Sequence, residues 1–219
     1  MSHPRADDLA GAPRKEVLRA SPRMFESNLL DKVSRVHPSV PLFIFVPAIV
    51  VFAWAGFARM AVPETVAWIA GGYVFWTLTE YWLHRLVFHF EPEDGLGARL
   101  HWIIHGVHHD HPNDPMRLVM PPSVSVPLSA LFYGLFLLVV GSPAAFALAA
   151  GFFAGYLLYD MTHYHVHHHR PRTWLGRKIR ELHMRHHFQD HTRGFGVSAP
   201  FWDHVFRTPT RRVTRRPPG

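Results

Sequence analysis

Apolar and polar positions in this chain fall into long blocks. Val40 to Ala58 runs for 19 residues without a charge, enough to cross hydrocarbon as a helix, which takes about 20 residues. Arg59 and the short Ala61–Glu64 connection close that block. A second uncharged run, Thr65 to Thr79, is too short alone, but its helical pattern continues through Glu80-Tyr-Trp-Leu-His84. Leu118 to Tyr159 then gives 42 residues with no charged side chain, divided in the middle by Gly141-Ser-Pro143. Each half approaches the length of a span, so the pattern predicts a helical hairpin turning at those three residues. Together these blocks predict an all-α integral membrane protein with four transmembrane helices.

The polar segments are read against those spans. Residues 1–23 carry Pro4, Pro13, Pro22 and mixed charge, without the apolar core of a signal peptide, and are expected to be poorly ordered. From Met24 to Val36 the apolar residues Phe25, Leu29, Leu30, Val33 and Val36 recur at helical spacing between Glu26, Asp31, Lys32 and Arg35. This predicts a short amphipathic helix, lying on a membrane surface or on the polar part of the same protein. The domain reading is therefore a polar segment 1–39, a membrane domain 40–208 and a basic tail 209–219 expected to be disordered. Within 84–117, Pro92, Gly95 and Gly97 mark a turn region, a helix resumes from Ala98 to His109, and His111-Pro-Asn-Asp-Pro115 ends it.

Charge orients the spans. From Met161 onward there are twelve Lys or Arg against three Asp or Glu, residues 1–39 hold seven more basic residues, and the opposite connections contribute only Arg59. The positive-inside rule then places both termini in the cytosol. The net charge of +7 is accounted for by anionic lipid headgroups, and no aromatic-rich nucleic-acid motif accompanies it, so no nucleic-acid partner is expected. The chain has no cysteine, which excludes a thiolate-ligated haem, a cysteine-bound iron–sulfur cluster and a thiol nucleophile. Only nitrogen and oxygen remain as metal ligands.

Nitrogen is abundant. His105, His108 and His109 stand at i, i+3, i+4, which on a helix is one face, and the spacing returns at His183, His186 and His187. Two looser pairs, His84 with His89 and His163 with His167, complete a set of ten. His89 lies five residues after His84, off the same face of an α-helix, so the helix is expected to end or bend between them. Ten imidazoles exceed what one metal holds, and two metals sharing them is the natural reading. All ten sit at the cytosolic ends of the spans, in a helical cap. Glu80, Asp160 and Asp203 are expected to accept imidazole N–H groups, with interfacial or capping roles as the plainer readings. His168 is a further candidate beside His167; His101, His111, His165, His169, His191 and His204 fall outside the spacing. Zinc hydrolases also use histidine, but no HExxH is present; an all-histidine pair of irons suits dioxygen activation. Zinc is the other metal that such a site accommodates in a purified protein.

The pattern His84-x4-His89, His105-x2-His108-His109, His163-x3-His167-His168 and His183-x2-His186-His187 resembles the fatty acid hydroxylase and sterol desaturase superfamily of integral-membrane di-metal enzymes. Three further stretches narrow the resemblance. They are Glu80-Tyr-Trp-Leu-His-Arg-Leu-Val-Phe-His-Phe-Glu91, Arg117-Leu-Val-Met-Pro-Pro122, and Gly194-Phe-Gly-Val-Ser198 followed by Trp202-Asp203 and Val205-Phe206. Together, over about residues 40 to 208, they resemble fatty acid 2-hydroxylases.

That resemblance implies hydroxylation of the carbon next to an acyl carbonyl, free or in a sphingolipid-type lipid, using two irons, dioxygen and two electrons. It implies a lipid acyl substrate and the ten histidines above as metal ligands. Eukaryotic members often carry a b-type cytochrome domain. Here about 39 residues precede the first span, and His37-Pro38 lacks the glycines of such a haem loop, so a separate electron-donor protein is expected. Arg207 stands where the family tends to have glycine. A carotenoid ring hydroxylase, with similar histidine boxes, is the alternative of the same class. A non-catalytic membrane zinc-binding protein is the alternative of a different class.

Overall fold

A computed structural model of the chain describes residues 9, 11–90, 92 and 94–211. Positions 1–8 and 10 of the N-terminal segment, Glu91 of the first family-like stretch, position 93 and positions 212–219 of the basic tail lie outside the described residues. In chain order the helices are α1 (Arg14–Val17), α2 (Asn28–Val33), α3 (Val40–Phe57), α4 (Val62–Leu83), α5 (Gly95–His101), α6 (Val107–Asp110), α7 (Pro122–Val140), α8 (Ala144–His168), α9 (Trp174–Phe188) and α10 (Phe201–Val205). π-helical turns at His84–Phe88 and Trp102–Gly106 extend α4 and join α5 to α6. No strand occurs among the described residues.

Among the described residues three helices, α3, α7 and α8, are long and apolar enough to cross a membrane. The break expected at Gly141-Ser-Pro143 separates α7 from α8. The outer faces of α3 and α7 leave Phe43, Val50, Trp54, Leu131, Leu138 and Val139 exposed, an extent of apolar surface that suits lipid rather than water. By contrast α8 is buried for most of its length and forms the axis of the bundle. Aromatic rings from three helices close around it: Phe45 meets Tyr156 edge-on at 4.7 Å, and Trp76 meets Phe152 at 5.1 Å.

Glycine sets how closely α4 approaches α8. A Cβ on Gly151 would stand 1.8 Å from the Ile69 carbonyl oxygen, and one on Gly72 would stand 2.0 Å from the Leu148 carbonyl oxygen. The two backbones touch through reciprocal glycines, as helices in a lipid environment commonly do where small residues allow close approach. This contact fixes the relative position of the two helices whose C-terminal ends carry four of the ten histidines.

The N-terminal segment is a strap. Its helix α2 is only six residues long, shorter than the Met24–Val36 pattern predicts, and is capped by Ser27. Leu29, Leu30 and Val33 face outward while Asp31 is buried. The reason lies across the chain: Arg117 Nη2 stands 2.7 Å from Asp31, and the Met24 N–H donates to the same carboxylate at 2.8 Å. Burial opposes ionisation of Asp31, but the Met24 N–H and the Arg117 and Arg35 guanidiniums hold its carboxyl below the usual range. Further along, the Asn113 N–H donates to the Leu18 carbonyl and the Val36 N–H to that of Met116. The strap is thus tied to the 111–117 segment that follows the second histidine group.

Candidate metal centre

All ten predicted histidines converge, and they divide. Among the described residues, His84, His89, His105, His109 and His186 form one group, and His108, His163, His167, His183 and His187 form the other. Within each group one ligand-type nitrogen per residue lies within 4.8 Å of all the rest. The division differs from the single face expected of each HxxHH motif. His105 and His109 go to the first group and His108 to the second, whereas His183 and His187 go to the second and His186 to the first. Each motif gives its i and i+4 residues to one group and its i+3 residue to the other, so the two motifs interlock. The groups abut where the His109 and His187 rings stack at 4.2 Å.

A widened turn resolves the His84–His89 pair. The expectation that five residues put them on different faces holds for an α-helix. Here the backbone forms a π turn, with the His89 N–H on the His84 carbonyl, and an i, i+5 pair stacks on such a turn. Their Nε2 atoms stand 3.3 Å apart, and His89 Nε2 lies 3.0 Å from that of His186. The second π turn similarly precedes His108 and His109.

The spacing is that of atoms around a common cation. Nitrogens bound at about 2.0–2.1 Å with a right angle between them stand roughly 2.9 Å apart. The observed Nε2–Nε2 separations include 3.0 Å for His109–His105, 3.0 Å for His163–His108, 2.8 Å for His167–His183 and 3.1 Å for His187–His183. The protonation pattern fits as well. His84 donates its Nδ1–H to the Phe195 carbonyl at 2.7 Å, and His186 donates its Nδ1–H to the Arg193 carbonyl at 2.8 Å. Each is left with an Nε2 lone pair turned toward the others. Burial, reinforced by neighbouring imidazoles, pushes His89 down to about 4, His186 to about 3 and His109 to about 2. It also holds His105, His108, His183 and His187 well below the usual histidine range. Convergent, neutral, lone-pair-bearing imidazoles are a donor set for divalent metal.

The acidic residues act one step further out than expected. Glu80 accepts the Ser198 N–H at 2.7 Å and the Ser198 hydroxyl. Asp203 accepts the N–H groups of Phe195 at 2.9 Å and Gly196 at 3.0 Å. These two carboxylates therefore hold the 195–198 loop, and that loop presents the Phe195 carbonyl to His84. Burial pushes the Asp203 carboxyl up, opposed by those N–H groups. Asp160 takes the Met120 N–H and the Tyr156 hydroxyl. His168 belongs to neither group and stacks on Tyr164 at 4.4 Å. The carbonyls of Phe195 and Arg193 escaped sequence reading, because a main-chain acceptor leaves no residue-type signal.

A short chain of bonds locks the same loop to α4. Tyr81 Oη lies 2.8 Å from Thr208 Oγ1, which lies 2.8 Å from Asp203 Oδ1. Asp203→Asn keeps one acceptor oxygen but not the two that the loop uses. It should cost about 10–100-fold in metal affinity or activity, the usual effect of losing such a support; metal content and turnover unchanged from wild type would contradict the role. Next to this network, Arg207 adopts φ 61°, a left-handed conformation that costs a non-glycine residue about 1–2 kcal/mol. Glycine adopts that conformation without the cost. Arg207→Gly should raise the unfolding midpoint, by a net stability gain of about 1 kcal/mol or less after glycine's entropy cost, and a lowered midpoint would show that the Arg207 side chain matters more.

Comparison with known proteins decides the family. The fatty acid hydroxylase family pattern matches residues 68–208, which contain all ten histidines and the loop that supports them. The chain belongs to the fatty acid hydroxylase family. It is 36% identical over 202 residues to dihydroceramide fatty acyl 2-hydroxylase FAH1 of Arabidopsis thaliana, covering 90% of this chain and 84% of that one. It is 36% identical to the fatty acid 2-hydroxylase of Rattus norvegicus, covering 85% of this chain and 56% of the rat protein. A solved structure of full-length scs7p, in which only the hydroxylase domain is visible, superposes with a TM-score of 0.81 at 34% identity, covering 85% of this chain and 72% of that one. This family member is a hydroxylase with membrane-type helices and two histidine clusters that could hold metal ions.

Proposed function

We propose that the protein is a membrane-bound di-iron monooxygenase that 2-hydroxylates fatty acyl chains, free or carried in a sphingolipid-type lipid. The observation that carries this reading is the pair of five-imidazole groups set at one end of an apolar helical bundle. The overall change is R–H + O2 + 2 e− + 2 H+ → R–OH + H2O. The first group would hold one iron and the second group the other; when bound, the irons supply dioxygen activation and removal of hydrogen from the acyl chain. The two electrons come from neither the acyl chain nor dioxygen, and a separate electron-donor protein is the proposed source.

The chain's own residues do the positioning. The Phe195 and Arg193 carbonyls fix the tautomers of His84 and His186, and Glu80 and Asp203 fix the Phe195 loop. An apolar crevice lined by Trp76, Met120, Leu128, Phe132, Phe152 and Tyr156 lies among α4, α7 and α8. His163 is seven residues beyond Tyr156 on α8, about 10 Å along the axis. An acyl tail lying along the outside of the bundle, with its head group at the histidine end, brings its carbonyl-proximal carbons toward the histidines, and apolar burial favours placing the tail there.

In the proposed topology α4 is the fourth span. Its 22 residues would extend about 33 Å, and its outer face exposes Val66, Tyr73, Val74 and Phe75. Charge asymmetry puts both termini and both histidine groups on the cytosolic side. Reporter fusions after Gly219 and at Ser142 should then read opposite sides of the membrane, and the same side for both would contradict four spans. For the reaction, lipids from cells expressing the protein should gain 2-hydroxyacyl chains that are lacking when Glu80→Ala, His84→Ala double-variant protein is expressed at the same level. Equal 2-hydroxyacyl content in the two would defeat the proposal.

A further inference from the structure

Beside the second imidazole group lies a polar cleft that the hydroxylation reading does not use. It has a volume of about 540 Å3 and is lined by Arg19, Asn113, Pro115, His167, His168 and Arg180. That is the size of a small-molecule site rather than of a single water. Two of the six lining residues are permanent cations and none is a carboxylate. Among the described residues, neither Arg19 nor Arg180 pairs with an acid. Arg180 donates its Nε–H to the His169 carbonyl at 3.3 Å, which steadies the guanidinium without neutralising it.

Two features distinguish this cleft from a solvated basic surface. The first is that its walls are built. Arg19 follows Leu18, whose carbonyl receives the Asn113 N–H at 2.9 Å, and the neighbouring Val17 carbonyl receives His111 Nδ1–H at 2.5 Å. The backbone leading into Arg19 is thereby held against the 111–117 segment by bonds to the carbonyls of both preceding residues. The second is an unmet polar atom: His168 Nε2 is buried and has no hydrogen-bond partner among the described residues. A buried nitrogen of that kind costs stability, and it marks the wall of the cleft as packed. Asp114 is the nearby acid that acts on His168; it is itself buried, with Oδ1 taking the Met116 N–H and Oδ2 without a partner among the described residues but closed off from the cleft.

We infer that this cleft binds a carboxylate or phosphate group. Guanidiniums hold such oxyanions through paired N–H donors, and the Asn113 amide can add another donor. One wall is His167, a member of the second group, so a ligand anchored here has its charged end next to that group. Its use as the anchor of an acyl substrate's charged end rests on the function proposed above; the binding itself does not. Two sources share the chemistry, an anionic lipid headgroup and a free anion, and the cleft's polar lining admits both.

The test uses the full chain, metal-loaded, in an uncharged detergent. Calorimetric titrations are made with lysophosphatidate, with a monoacylglycerol of the same chain and with inorganic phosphate, on wild type and on the Arg19→Gln, Arg180→Gln double variant. Equal metal content and unfolding midpoint in the two proteins establish that the variant folds, and the single Arg19→Gln variant, at an exposed residue, gives a second reading if the double variant does not. The expected result is that lysophosphatidate binds wild type at least tenfold more tightly than the variant, while the monoacylglycerol does not distinguish them. The same tenfold loss with inorganic phosphate identifies a free-anion site, and its restriction to lysophosphatidate identifies a headgroup site; both support the cleft. Equal binding of both anions to wild type and variant overturns it. Hydroxylation assayed on the same preparations is a separate readout: absence of any hydroxyacyl product with intact anion binding would count against the proposed function and not against the cleft.

Discussion

Replacing His108 or His186 by alanine should abolish hydroxylation and lower metal content from about two ions per chain toward one. Loss of a residue that merely supports a ligand costs about 10–100-fold, and removal of a ligand should exceed that. The two substitutions strike different groups. His108 stands 3.0 Å from both His163 and His187 through Nε2 atoms of the second group, and His186 stands 3.0 Å from His89 in the first. Each should therefore empty a different centre, although the two residues come from motifs with the same spacing. The paired variants His105→Ala and His183→Ala extend the test, because the interlocked division assigns His105 with His186 and His183 with His108. Full activity in a His108→Ala enzyme, or identical partial metal loss at one common centre for His105→Ala and His108→Ala, would contradict the division.

Gly151→Leu should prevent assembly of both centres without touching a histidine. Any side chain there enters the backbone of α4, since even a Cβ lies 1.8 Å from the Ile69 carbonyl oxygen and 2.9 Å from the Tyr73 nitrogen. Overpacking by one or two methylenes in a yielding core costs about 1–3 kcal/mol; here the obstacle is backbone on both sides, and the helices must part. His84 and His89 follow α4, and His163 and His167 lie on α8, so separation moves part of the first group away from part of the second. Expected are loss of activity, metal content well below wild type and a lowered unfolding midpoint in detergent. Gly71→Ala is the control, because a Cβ at Gly71 meets nothing within 4 Å. Wild-type stability and metal content in Gly151→Leu would show that the close crossing is dispensable.

What the sequence revealed and what it withheld follow from the physics of each feature. Uncharged blocks report helices that tolerate lipid, and α3, α7 and α8 stand close to where those blocks lie. The second block is mixed, with Glu64 and Glu80 at its ends, and its helix owes its place as much to packing against α8 as to hydropathy. Ten histidines were found from spacing alone because imidazole is rare enough for repetition to carry meaning. Their division was not, since neighbours on one helical face meet different partners across the bundle, His186 with His89 and His183 with His167, and only the π turn at His84–Phe88 brings His84 and His89 together. Asp31 was read as part of a polar helix face; Arg117, 86 residues away, makes it an interior residue, and no local pattern reports so distant a partner. Glu80 and Asp203 are expected from the sequence to accept imidazole N–H groups; in the fold they hold the 195–198 loop instead, and the carbonyl that this loop presents to His84 belongs to the backbone. Gly72 and Gly151 also passed unremarked, because a glycine in an apolar helix acquires meaning only from the helix opposite.

The central claim is oxidation at the carbon beside the acyl carbonyl, and the position of the oxygen tests it most directly. The purified protein, with added iron and a reductant, is given an acyl substrate carrying two deuteriums at carbon 2 under isotopically labelled dioxygen, and the product is read by mass spectrometry. The account predicts loss of one deuterium and gain of one labelled oxygen at carbon 2. Product that keeps both deuteriums and carries oxygen further along the chain, or oxygen that comes from water, would contradict it.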